Sequence, residues 1–303
     1  MEKVLKVINV NDYAHYVGAP ELHPLVSVIH YDELGQCRHA LSEYGVYGFF
    51  LMKESPYTIT YGGGNYRFES GSLMCVAPGQ QGGVTDDGEI IHIKGWAMLF
   101  HPDILAGTHL ERRIKDYHYF SYYSNEALKL SADEWARLER CFAAIRKELE
   151  EFPNDSHLRA IVISYLSLLM ELAARFYERQ FEGYDVVGEE FVRKVDSVLE
   201  RYYAEGKHLE SGIPSVRYCA GELFISPNYF GDLMRVRTGK SAIQYIRRFL
   251  MKKALTMLKD GYSVSEVSEA LGYEYPQHFT RMFKKEYGVA PSKMAKDTPE
   301  IRS

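Results

Sequence analysis

Residues 263–288, SVSEVSEALGYEYPQHFTRMFKKEYG, decide the C-terminal fold. Ser263 and Glu266 have capping-box spacing, so each side chain can satisfy the other's free backbone N–H; they open a short helix that Gly272 ends. Pro276 opens a second helix where its missing N–H costs nothing, and Gly288 stops it. Phe279, Met282 and Phe283 form its apolar side, leaving Gln277, His278, Thr280, Arg281 and Lys284 outside. A short helix, a tight turn and a capped second helix form a helix-turn-helix.

The same grammar occurs earlier. Val264, Ser268 and Leu271 repeat Val216, Ala220 and Leu223 at an offset of 48, and Pro276, Phe279 and Gly288 repeat Pro227, Phe230 and Gly239 at 49. One inserted residue at the turn explains the change. In the first copy Ser226 caps and Gly239 terminates the second helix. Phe230, Leu233 and Met234 point to a first core, with Asn228, Gly231, Asp232 and Arg235 outward.

A helix over 241–259 joins the copies, with Ile243, Ile246, Leu250, Ala254, Leu255 and Leu258 as its buried stripe. Nineteen residues at about 1.5 Å each span about 28 Å. One DNA turn is about 34 Å, so the two second helices could enter successive major grooves on one duplex face. Asn and Gln can pair with adenine edges and Arg with guanine, while Lys mostly meets phosphate.

Charge agrees with a polyanion partner. Residues 214–303 hold eight Lys and seven Arg against three Asp and six Glu, a net of +6; the remaining chain carries −11 of the total −5. The four cysteines, Cys37, Cys75, Cys141 and Cys219, are scattered, which argues against a zinc site or disulfide framework and fits a reducing cytoplasm. The apolar runs are too short for a signal peptide or spanning helix, so no membrane role is expected.

Residues 1–110 read as β-rich. Short β-branched and aromatic runs cover 25–31, 46–52, 57–61, 66–68, 71–77 and 89–100, with turns at Gly62-Gly63-Gly64-Asn65, Pro78-Gly79 and Thr85-Asp86-Asp87-Gly88. Such a pattern suggests a sandwich or barrel. The period then turns helical. Ser131 and Glu134 open a helix to about Phe152, a second runs from about Ser156 to Phe181 and a third from about Gly188 to Ala204. The polar stretch 206–214 is read as a boundary.

Residues 215–295 resemble the tandem helix-turn-helix domain of the AraC/XylS family of bacterial transcription regulators. The resemblance rests on Ala220 with Ile225-Ser226-Pro227-Asn228-Tyr229-Phe230, then Thr238-Gly239-Lys240-Ser241, Lys253-Ala254 with Leu258, the run Leu271 to Lys285, and Gly288 with Pro291. Residues 1–110 resemble, more weakly, the cupin-like sensing barrel common in that family. The expected fold is α+β: a cupin-like effector-sensing β-barrel over 1–125, a helical dimerisation segment over 126–206 and an all-α tandem helix-turn-helix domain over 207–303.

The resemblance implies a cytoplasmic, non-enzymatic, sequence-specific transcription regulator, an activator by expectation. It would bind double-stranded DNA as a homodimer, respond to a small-molecule effector, and count RNA polymerase among its partners. The expected DNA-binding residues are Asn228, Asp232, Arg235, Gln277, His278, Thr280, Arg281 and Lys284. Gly231 and Asp232 depart from the family's reading face. Asp232 could accept from cytosine N4 or be a helix-surface acid, and a helix-turn-helix interaction protein that no longer binds DNA is therefore an alternative.

A metal-dependent cupin enzyme is the other alternative. Gln80, Gln81 and Gly82 follow the strand Gly71 to Gly79 where a ligand His would stand, and His23, His30, His39, His92 and His101 lack two-residue spacing, so no metal or cofactor is expected. Along 91–100, alternation places His92, Lys94, Trp96 and Met98 on one face. Trp96, with His92 and Lys94, is the expected effector contact; the other reading packs Trp96 against the helical layer. The helix over 156–181 carries more apolar surface than a monomer's layer needs, so a homodimer through residues 131–181 is expected.

Overall fold

A computed structural model describes residues 4–294, apart from 36, 39, 55–57, 62–63, 68–70, 84–89, 124–125 and 183–184. The expected turns at Gly62-Gly63 and Thr85 to Gly88 therefore lie outside the described residues. Contacts divide the chain into two compact units, Met1–Gln180 and Phe181–Ser303. The division falls inside a helix, well before the Gly206–Pro214 stretch.

The first unit holds the strands β1 (Leu5–Val7), β2 (Val26–His30), β3 (Cys37–Arg38), β4 (Leu41–Tyr44), β5 (Tyr47–Glu54), β6 (Thr58–Tyr61), β7 (Gly64–Arg67), β8 (Ser72–Val76), β9 (Gln80–Gly83), β10 (Ile90–Ile91), β11 (Lys94–Phe100) and β12 (Leu128–Lys129). Its helices are α1 (Val10–Val17), α2 (His109–Arg113), α3 (Ala132–Glu151) and α4 (Leu158–Glu182). An antiparallel sheet of order β12-β8-β5-β11-β2 is the largest; β1-β4-β9, β10-β3 and β6-β7 are separate. These described strands form open sheets, not the closed barrel expected of residues 1–125. The five-stranded sheet ends on β2 at one edge and on the two-residue β12 at the other, and no described strand pairs these edges with each other.

Adjacent residues of β5 divide between two layers, as pleating demands. Phe50 and Met52 join Ile29, Val76, Ala97 and Leu99 in a core with Val7, Val10 and Ala14. Phe49 instead meets Phe100 and Phe120, with ring centroids 6.0 and 5.0 Å away. Between Lys94 and Gly95 the register with β5 shifts, leaving Lys53 of β5 without a partner in the ladder, so β5 bulges there. Gly95 has φ +124°, and a Cβ there would lie 2.1 Å from the Leu51 carbonyl oxygen, so glycine is required. His92 precedes β11 and Gly95 departs from ordinary strand conformation, so the alternation that grouped His92 and Lys94 with Trp96 is interrupted there.

The capping box of Ser131 and Glu134 opens α3 as read from sequence. Its neighbour α4 is long and apolar enough to cross a membrane by length and composition, yet half of its most apolar stretch is buried inside the protein. Polar bonds also tie it to the rest of the unit: Arg113 to Glu171 at 2.7 Å, Tyr119 Oη to the Met170 carbonyl at 3.0 Å and the Lys129 amide to Gln180 at 2.7 Å. Leu168 of α4 is 49% exposed.

The second unit contains α5 (Asp185–Ala204), α6 (His208–Ser211), α7 (Val216–Glu222), α8 (Pro227–Thr238), α9 (Ala242–Lys259), α10 (Val264–Ala270), α11 (Pro276–Tyr287) and α12 (Pro291–Met294). The sequence suggested one core per copy. A single continuous cluster forms instead, with Val195, Leu199 and Tyr202 of α5, Phe230 and Met234 of α8, Ile246 and Leu250 of α9, and Phe279 and Phe283 of α11. The Gly206–Pro214 stretch is packed into this unit: Tyr202 Oη donates to the Gly212 carbonyl at 2.9 Å.

Candidate nucleic-acid interface

Side-chain caps fix where α7, α8, α9 and α10 start, whereas α11 starts at Pro276 without one. The Ser215, Ser226, Ser241 and Ser263 hydroxyls accept from the amides of Tyr218, Tyr229, Gln244 and Glu266. The Ser263–Glu266 capping box is complete, and the Ser263 side chain and amide hold the Glu266 carboxyl below its ordinary pKa. Gly239 and Gly288 end α8 and α11 in the left-handed conformation, as their sequence positions required.

The core then sets which side faces out. With Phe279 and Phe283 fully buried, Gln277, His278, Arg281 and Lys284 of α11 are exposed and Thr280 is half-buried. Residues 277, 281 and 284 follow i, i+4, i+7 spacing, one helix face. It carries an amide, a guanidinium and an ammonium, with the imidazole of His278 alongside. On α8, Asn228 and Arg235 are exposed and Asp232 is half-buried. The Asp232 carboxylate lies 3.8 Å from Arg235 Nη1, an i, i+3 pair on the helix itself. A Cβ added to Gly231 would meet nothing within 4 Å, so this face has an open gap. The second helix therefore presents the richer donor set.

The expected effector residues are not brought together. Trp96 is 7% exposed, stacks on His30 at 4.0 Å and lies 6.4 Å from the Phe142 ring of α3. Its Nε1 donates to Glu139 Oε1 of α3 at 3.2 Å. His92 and Lys94 are exposed, upstream of the register shift at Gly95. Trp96 thus packs on the helical layer. Among the described residues no three His, Cys, Asp or Glu side chains gather into a metal-binding group.

Sequence reading did not single out Arg217 or Arg247. Both are exposed and line the same cavity as His278 and Arg281. A signal was present: Arg247 follows the buried Ile246 on the amphipathic α9, on the same side as the exposed Ile243.

Residues 219–297 match the family described as "Helix-turn-helix domain". The chain is 30% identical over 213 residues to the "Uncharacterized transcriptional regulatory protein YesN" of Bacillus subtilis, covering 66% of this chain and 55% of that one. It is 23% identical over 159 residues to the "Probable transcriptional regulator LumQ" of Photobacterium leiognathi, covering 52% and 59%. The chain thus spans somewhat over half the length of these two relatives. Among solved structures it resembles the C-terminal domain of AraT, a response regulator from Geobacillus stearothermophilus, at 24% identity and a TM-score of 0.30, covering 35% of this chain and 91% of that one.

Proposed function

We propose that this chain, whose C-terminal unit belongs to the AraC/XylS helix-turn-helix type, is a sequence-specific DNA-binding transcription regulator. One observation carries the reading: two helix-turn-helix pairs share one core, and α11 turns Gln277, His278, Arg281 and Lys284 outward. Arg281 and Gln277 suit guanine and adenine edges, and Lys284 suits phosphate. Asn228, Arg235 and Thr280 complete the proposed interface. The Asp232–Arg235 pair favours a first helix that contributes less than the second.

The N-terminal unit is proposed as an effector-sensing, cupin-like module, acting in the cytoplasm without catalysis. An effector at the start of β11 would meet His92 and Lys94. Its influence would reach α3 through Trp96 and Glu139. A homodimer through residues 131–181 is supported by an open groove of about 500 Å³ between α3 and α4, where Leu168 and Tyr165 sit beside Arg137 and Arg140. Activation through RNA polymerase belongs to the same reading.

Selection of genomic DNA fragments by the purified chain, followed by sequencing, tests the function. A shared sequence motif among retained fragments is the expected result. Retention no better than that of random fragments would overturn it.

A further inference from the structure

A cavity of about 710 Å³ opens between the two helix-turn-helix pairs of the second unit. Residues from the start of α7, from the first half of α9 and from the first half of α11 converge on it. Three guanidinium groups line it, those of Arg217, Arg247 and Arg281, and all three side chains are exposed. None of them has an ion pair among the described residues. The single carboxylate on the wall, Glu274, is engaged with the Tyr275 hydroxyl, whose pKa it raises. The notch therefore holds an excess of positive charge that the protein itself does not neutralise.

Its apolar surface is equally out of place for a solvated groove. Ile213 is 37% exposed and Ile243 51% exposed, and both line the same cavity. A surface that alternates guanidinium groups with aliphatic side chains matches a sugar–phosphate chain, in which anionic phosphates alternate with deoxyribose. The location agrees. If the two second helices occupy successive major grooves, the backbone between those grooves must cross the interval between the helix pairs. The cavity is lined from both pairs, by Val216 and Arg217 of α7 and by residues between Gly272 and Met282 of the second pair, and Arg281 on its wall belongs to the reading face of α11.

We propose that Arg217 and Arg247 each take one phosphate of the DNA backbone segment that runs between the two major grooves. Ile213 and Ile243 contact its deoxyribose rings. The inference rests on the DNA-binding reading above and deepens it: the two arginines hold the register of the duplex while α11 reads bases. Their contacts carry no sequence information.

The test uses the full chain and a fluorescent duplex of about three helical turns, in cognate and random versions, with affinity measured by anisotropy at several salt concentrations. Each phosphate contact contributes about 0.9 to the slope of log affinity against log salt. Arg217→Gln and Arg247→Gln should each lower that slope by about 0.9, and the double variant by about 1.8, equally on both duplexes. Arg248→Gln is the control, because Arg248 lines a different cavity on the opposite side of α9, and its slope should equal that of the parent. Thermal midpoints should match the parent's, since all three side chains are exposed. A parent that binds with a steep salt slope, together with Arg217→Gln and Arg247→Gln variants of unchanged slope, overturns the phosphate assignment alone. A parent that binds neither duplex overturns the DNA-binding reading and this inference with it. Loss on the cognate duplex only would show base reading instead, and would also overturn it.

Discussion

Phe224 and Gly272 occupy the same left-handed position in the two helix-turn-helix turns, at φ +57° and +78°. They are 48 residues apart, the offset of the first half of the repeat. Each follows the short first helix of its pair. The two turns have solved one backbone problem differently. At Gly272 a Cβ would come within 2.8 Å of the Gly212 backbone, so no side chain fits. At Phe224 the ring leaves the turn and is 78% exposed.

Substitutions at this pair should therefore have opposite signs. Gly272→Ala combines a positive φ with a backbone collision and should cost about 2–3 kcal/mol. Phe224→Gly removes the left-handed penalty at a side chain that is largely exposed, and should stabilise by about 1 kcal/mol. Chemical denaturation midpoints of the full chain check both. Equal destabilisation by the two would contradict the equivalence of the turns.

Fragments starting on either side of α5 should differ sharply. Val195, Val198 and Leu199 of α5 are at most 4% exposed in the core of the second unit. Tyr203 Oη also donates to the Leu271 carbonyl at 3.0 Å, and burial raises its pKa. Residues 185–303 should melt cooperatively by circular dichroism. Residues 207–303, which lack this layer, should melt at much lower temperature or not cooperatively. Indistinguishable melting would show that α5 is dispensable to the unit.

Within the reading face, roles should separate. Arg281→Ala should cost about 1–3 kcal/mol on the selected sequence and relax preference at one base pair. Lys284→Ala should weaken all sequences alike. Competition binding against single-base variants measures both. Equal losses on selected and random DNA from both changes would show that the reading face is misassigned.

The cysteines should be silent in the folded chain. Cys37, Cys75, Cys141 and Cys219 are free and buried, and burial raises each thiol pKa, that of Cys219 to about 12. Folding thus favours the neutral thiol. The associated stability is complete below the ordinary thiol pKa of 9.0 and is lost as pH climbs from there towards 12. Iodoacetamide at pH 8 should leave the native chain unmodified and label all four cysteines once it is unfolded. Rapid native labelling of Cys219 would contradict the packing of α7.

The C-terminal unit was legible because its signals are local. Ser226, Ser241 and Ser263 cap within three residues, and Gly239 and Gly288 terminate where φ must be positive. The N-terminal unit depends on distant pairing. β9 is Gln80-Gln81-Gly82-Gly83, a sequence with little strand preference, and it exists because β4 pairs with it. The capping box of Asn9 and Asp12 that opens α1 is local in the same way as the C-terminal caps, spanning three residues. The separation of Trp96 from His92 and Lys94 was not legible because it depends on tertiary packing: Trp96 lies against α3, where it donates to Glu139, while His92 and Lys94 are exposed beyond the irregular backbone of Gly95.

Footprinting of the full chain on a selected duplex, with methylation interference at guanine N7, tests the tandem reading most directly. N7 lies in the major groove, where the reading helices must sit. The account predicts two clusters of interference about 10 base pairs apart on one face of the duplex, the cluster assigned to α11 being the stronger. No interference at any guanine, or two clusters about half a turn out of phase, would contradict it.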